Sequence, residues 1–144
     1  MNVSQILRTK ADSAVISLPP EALVQQAAEI LSSKRIGTIV ISADGEAPVG
    51  ILSERDIVRE IGQRGTDCLS SPIRTLMTAD PVTCAPSDSA DRVLEQMTQG
   101  RFRHLPVMEE GRMVGLISIG DVVKARLSEL AMEKDALEGM IMGH

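Results

Sequence analysis

At 144 residues with 43% hydrophobic side chains, the chain can bury a compact core without disulfides or a structural metal. Its net charge of -5 argues against a face that neutralises many nucleic-acid phosphates, and a single aromatic residue, Phe102, excludes recognition on Trp or Tyr stacking platforms. Cys68 and Cys84 suit neither a disulfide framework nor a metal cluster, no run approaches the roughly 20 apolar residues of a membrane span, and residues 1 to 17 show no long apolar core between a basic start and a small-residue cleavage site, so no targeting segment is expected. A reduced, cytoplasmic protein with no membrane and no nucleic-acid partner is the expectation.

In chain order, Val15-Ile16 reads as a first strand closed by the turn signal Pro19-Pro20. Val24, Ala27, Ala28 and Leu31 then recur at helical spacing. Residues 38 to 41 and 49 to 52 are short β-branched runs joined by a glycine-containing loop, which predicts paired strands, and a second helix opens near Asp56. Residues 62 to 72, GQRGTDCLSSP, have the Gly, Ser and Pro content of a linker. The same order then returns. Ala90, Val93, Leu94 and Met97 form a helical stripe after Pro86, residues 104 to 107 and 114 to 117 flank a turn at Glu110-Gly111, and a helix opens near Asp121.

The return is a sequence repeat. VGILSERDIV (49 to 58) aligns with VGLISIGDVV (114 to 123) at an offset of 65, and RIGTIVI (35 to 41) with RFRHLPV (101 to 107) at an offset of 66. The one-residue difference falls in loops, where insertions are tolerated. The fold class is therefore mixed α/β (α+β), with two pseudo-symmetric β-α-β-β-α repeats packed through their sheets. Residues 1–64 form the first domain, 65–72 the linker, 73–130 the second domain and 131–144 a C-terminal helical extension. Along that last helix Val123, Leu127, Leu130, Leu137 and Ile141 make an apolar stripe beyond the repeat, joined by Met132, Met140 and Met142. A homodimer contact is expected there.

Gly-apolar-apolar-Ser-x-x-Asp occurs twice, at Gly50 to Asp56 and Gly115 to Asp121. Either copy alone reads as a helix cap. Together, at equivalent places in a repeat, they suit ligand binding as well. A serine at a helix N-terminus can donate to a phosphate, and an aspartate can accept from the paired hydroxyls of a ribose.

These motifs, with RFRHLPV and the segment IRTLMTADPVT (73 to 83), resemble the CBS-domain pair, or Bateman module, and are similar to small stand-alone bacterial CBS-pair proteins. The resemblance implies a non-catalytic regulatory module, a disc-like homodimer with a protein target, and two clefts for adenosine derivatives. Candidate ligands are AMP, ADP, ATP, S-adenosylmethionine and NADH, with AMP or ATP foremost and no further cofactor. Carried over by motif, Ser118 and Asp121 match the phosphate and ribose positions of the second site. Thr78, Val82, Leu105, Pro106 and Val107 would hold the adenine, and Arg101, Arg103 and His104 would add positive charge. At the first site the matching residues are Ser53, Arg55 and Asp56, with Ile16 and Ile39.

Where the second copy has Arg103-His104-Leu105-Pro106 the first has Gly37-Thr38-Ile39-Val40, so the second is expected to be the better site. Arg101 and Arg103 read equally well as a solvated strand entrance. Neither His104 nor His144 has a nucleophile and orienting acid beside it by any motif, so no catalytic constellation is expected. The rival reading is a dimeric interaction module with vestigial clefts.

Overall fold

The computed structural model describes residues 1–10 and 14–142. The chain opens on helix α1 (Val3–Thr9), closed at its start by a reciprocal cap in which Asn2 Oδ1 accepts the Gln5 N–H at 2.9 Å and Gln5 Oε1 accepts the Asn2 N–H at 2.8 Å. There follow β1 (Ser17–Leu18), α2 (Val24–Lys34), β2 (Thr38–Ile41), β3 (Gly50–Ser53), α3 (Glu54–Arg64) and β4 (Thr78–Ala79), then α4 (Ala90–Gly100), β5 (His104–Glu109), β6 (Arg112–Ser118) and α5 (Ile119–Ile141). The first sheet runs β1-β2-β3-β4. Strand β1 is parallel to β2, and the other pairings are antiparallel, with Thr38 opposite Ser53 and Thr78 opposite Ile51. The second sheet is the antiparallel pair β5-β6.

The first strand thus falls at Ser17–Leu18, two residues after Val15-Ile16. Its second-unit counterpart shrinks to one parallel bridge between Cys84 and Val107. The linker is folded too: Thr66–Ser70 is a 3-10 turn with Cys68 buried beneath it.

Two separate cores form, and each borrows from the other half of the chain. Val24, Ala27, Leu31, Ile39, Ile41, Leu52 and Ile57 pack with Ile73 and Leu76, whereas Val93, Met97, Leu105, Val107, Ile117 and Val122 pack with Val3 and Ile6. The segments that precede each repeat are therefore exchanged. The Val3 and Ser4 N–H groups donate to the Asp88 and Pro86 carbonyls at 2.9 Å each, and those of Ile73 and Arg74 donate to the matching Ala22 and Pro20 carbonyls at 2.8 and 3.0 Å. Residues 1–10 accordingly pack with the second unit and 73–79 with the first.

The exchange explains the glycine in each motif. A Cβ on Gly50 would meet the Met77 side chain, and one on Gly115 would lie 2.9 Å from Leu7 Cδ1. Both intruders sit at the same place in the crossing segments.

Strand alternation sets the contact between units. Ile39 and Ile41 face the first core, so Thr38 and Val40 face away from it, yet all four residues of β2 are buried. On β5, Leu105 and Val107 face the second core and His104 and Pro106 face away. The outward faces meet: Thr38 Oγ1 lies 3.3 Å from His104 Nδ1. These two residues hold the same position in the repeats, so the local two-fold passes between them. At the far end the Met113 N–H donates to the Glu46 carbonyl at 2.8 Å, and Arg112 pairs with Glu46 at 3.2 Å. Beyond the second unit α5 continues with Leu127, Leu137 and Ile141 exposed.

Candidate functional site

Each repeated motif ends where a strand hands over to a helix. Ser53 is the N-cap of α3: its Oγ accepts the Asp56 N–H at 3.2 Å, while Asp56 Oδ2 accepts the Ser53 N–H at 2.9 Å and its hydroxyl at 3.0 Å. Ser118 and Asp121 repeat this at α5, at 3.1 Å and 2.9 Å. The serines are thus the caps, and the aspartates, where the helices were expected to begin, are the third helical residues that close the box. Such a cap contributes about 1 kcal/mol, reason enough for the pattern to recur in a fold built twice.

A cleft of about 610 Å³ opens beside the first of these boxes. Thr38, Ser53, Arg55, Asp56 and Arg59 line it from the first unit, residues 78 to 82 from the crossing segment, and Arg101, Phe102, Arg103 and His104 from the second unit. This regroups the candidate residues. Thr78, Val82, Arg101, Arg103 and His104, expected beside Ser118 and Asp121, stand instead with Ser53, Arg55 and Asp56. The cause is the exchange of segments: residues 78 and 79 pair with β3, which ends at Ser53, and the two-fold sets the entrance of β5 against the opposite unit.

Other candidates do not reach this cleft. Leu105 and Val107 are wholly buried in the second core and Ile39 in the first, while Pro106 is buried on the sheet face turned from the second core. Ile16 is half-buried, its carbonyl accepting the Val40 N–H at 3.3 Å. Among the lining residues that the sequence did not single out are Arg59, Phe102 and Asp80. Arg59 stands three residues after Asp56, a helical neighbour. Phe102 lies over Gly100, where any Cβ would strike the ring, and that two-residue spacing was its signal. Asp80 adopts a left-handed backbone with φ 51°, for which the sequence held no cue.

The electrostatics divide the cleft. Arg59 is bound to Asp56 at 2.6 Å, while Arg55, Arg101 and Arg103 make no ion pair among the described residues. Unpaired guanidiniums in a concave site suit phosphate or carboxylate, whose oxygens match the guanidinium fork. Burial lowers the His104 pKa below 6.5, Asp121 opposes that, and Lys10 and Arg103 reinforce it. The imidazole is therefore neutral at pH 7 and acts as a hydrogen-bonding group. Elsewhere burial, with Asp88 adding, pushes the Cys84 thiol up to about 12.

Asp121 lies on a second cavity of about 410 Å³, shared with Thr9, Lys10, Lys124 and Ser128. Lys10 Nζ reaches Asp121 Oδ2 at 3.0 Å. Burial acts to raise the Asp121 pKa, but the Ser118 N–H and the Lys10 ammonium outweigh it and leave the carboxyl below its usual range. Among the described residues no group of three or more His, Cys, Asp or Glu could hold a metal ion, and no helix is long and apolar enough to cross a membrane.

Comparison with known proteins is consistent with this architecture. Residues 3–63 and 73–128 each match the family model described as the CBS domain. A mitochondrial CBS domain-containing protein of Arabidopsis thaliana is 31% identical over 148 residues, covering 98% of this chain and 72% of that protein. A CBS-domain containing protein from Agrobacterium tumefaciens has a similar structure, with a TM-score of 0.81 and 40% identity over 88% of this chain and 99% of its own. A CBS domain protein from Pyrobaculum aerophilum, complexed with AMP, gives a TM-score of 0.76 and 30% identity over 92% and 99% of the two chains.

Proposed function

This chain belongs to the CBS-domain family, and on that premise we propose that it is a non-catalytic regulatory module that holds an adenosine phosphate in the cleft between Asp56 and Arg103. The observation that carries the reading is the convergence in one cleft of a helix-entrance Ser/Asp pair and three arginines without carboxylate partners among the described residues. In this reading Asp56 accepts from the ribose hydroxyls once Arg59 turns away, Arg55, Arg101 and Arg103 receive phosphate, and Thr78, Val82 and Phe102 flank the base. The AMP complex of the Pyrobaculum aerophilum relative supports the ligand class. AMP, ADP and ATP rank ahead of NADH, and S-adenosylmethionine ranks last because its sulfonium would face the arginines. The module would work in the cytoplasm as a homodimer that reports nucleotide status to a protein target.

A thermal-shift panel of AMP, ADP, ATP, NADH and S-adenosylmethionine tests this. A ligand at 100 times its Kd stabilises the fold by about 2.7 kcal/mol, a shift that Asp56→Ala should remove. No shift from any of the five would overturn the reading. It would favour the second one, a dimeric interaction module, whose own support is the apolar face of α5 with Leu127 63% and Ile141 83% exposed.

A further inference from the structure

The two units repeat a backbone but not a charge arrangement. Ser4 bonds to Pro86 as Arg74 bonds to Pro20, so position 10 of the first crossing segment corresponds to position 80 of the second. At that position the first cleft carries Asp80 and the second carries Lys10. Lys10 Nζ is held twice, by Asp121 Oδ2 at 3.0 Å and by the Leu116 carbonyl at 2.9 Å. Leu116 is the counterpart of Ile51, the residue that pairs with Thr78 along the first cleft. Lys10 thus spans both the carboxylate and the strand edge that a nucleotide would use.

We infer that Lys10 closes the second cleft to nucleotide, so that the chain binds one adenosine phosphate, in the first cleft, although its motif occurs twice. The inference rests on the nucleotide reading above. A ribose needs the Asp121 carboxylate, and freeing it strips Lys10 of its ion pair and leaves the Leu116 carbonyl without that donor. The two side chains are only 26% and 22% exposed, so solvent replaces little of what is lost. Asp56 has an easier release. Its partner Arg59 is 59% exposed and can swing onto a bound phosphate. Nor is Lys10 a wandering surface lysine, since it follows directly on α1, which Val3 and Ile6 fix in the second core.

Calorimetric titration of the full chain with ATP decides this. Wild type should bind one equivalent, Lys10→Ala two, and Lys10→Ala combined with Asp121→Ala one again, while Lys10→Arg should stay at one. If Lys10→Ala fails to fold, Lys10→Gln, which keeps a donor for Leu116 but removes the charge, should show the same added equivalent. Two equivalents in the wild type, or no gain in the folded Lys10 variant, would overturn the inference. Failure of the first-cleft reading looks different: a silent wild type with one equivalent gained in Lys10→Ala would discard the first cleft and keep the role of Lys10.

Discussion

At the entrance of α3, Asp56 is joined by an exposed arginine and overlooks three more that have no acidic partner among the described residues; at the entrance of α5, Asp121 is clasped by a lysine from the other end of the chain. The backbones there superimpose in pattern, with the same cap, the same carbonyl bond to the first helical amide (Gly37 to Glu54, Arg103 to Ile119) and the same glycine under a crossing side chain. Positions that close caps and seat glycines serve the fold and recur. Positions 10 and 80, or 59 and 124, only line the clefts, and there the two halves have diverged in charge and in what they can hold.

The largest effect should come from severing an exchanged segment. Ile6→Ala removes a buried side chain from the second core and should cost about 2 to 5 kcal/mol. Hydrogen exchange should then rise first in β5 and β6 rather than in β2 and β3, although residue 6 precedes the first repeat. Early loss in β2 and β3 would refute the exchange.

Next in size is the ligand contrast. Asp56→Ala should abolish the stabilisation of about 2.7 kcal/mol expected at saturating AMP or ATP, while Asp121→Ala should leave that increment in place in the same melting assay. Equal losses would make the clefts equivalent. The glycines give a smaller contrast. Gly50→Ala should cost about 1 to 3 kcal/mol in denaturant unfolding, because its Cβ would meet Met77 and lie 3.1 Å from the Thr78 carbonyl. Gly115→Ala meets only the flexible tip of Leu7 and should cost less.

The smallest effect is on pH dependence. His104 has a folded pKa below its ordinary 6.5, so as pH falls the unfolded chain takes the proton first. Stability is therefore full above 6.5 and lost as pH drops from there toward the folded value. His104→Asn should flatten that slope in melts across the window.

Much of this was legible in the chain itself. The offsets of 65 and 66 carry the duplication, the apolar stripes of α2 and α4 carry the helices, and Ser-x-x-Asp carries the caps, because all of these are local patterns of spacing. The crossing segments also repeat, Val3-x-x-Ile6-Leu7 against Ile73-x-x-Leu76-Met77, but at an offset of 70 and outside the stronger motif. Phe102 entered only as a composition count, and its place over Gly100 became meaningful once the cleft was seen.

What the sequence determined alone is therefore the duplicated mixed α/β unit, the helix, strand pair and helix of each repeat, and the chemistry available at each helix entrance, since each follows from residues a few positions apart; helix α1 and strand β4 were not read from it. Which residues share a cleft was decided by tertiary structure. Exchange of the segments brings Thr78 to Ser53 and Lys10 to Asp121, and the two-fold through Thr38 and His104 brings Arg101 and Arg103 over the first unit. Contacts between residues tens of positions apart depend on how two sheets pack, and no local spacing encodes that.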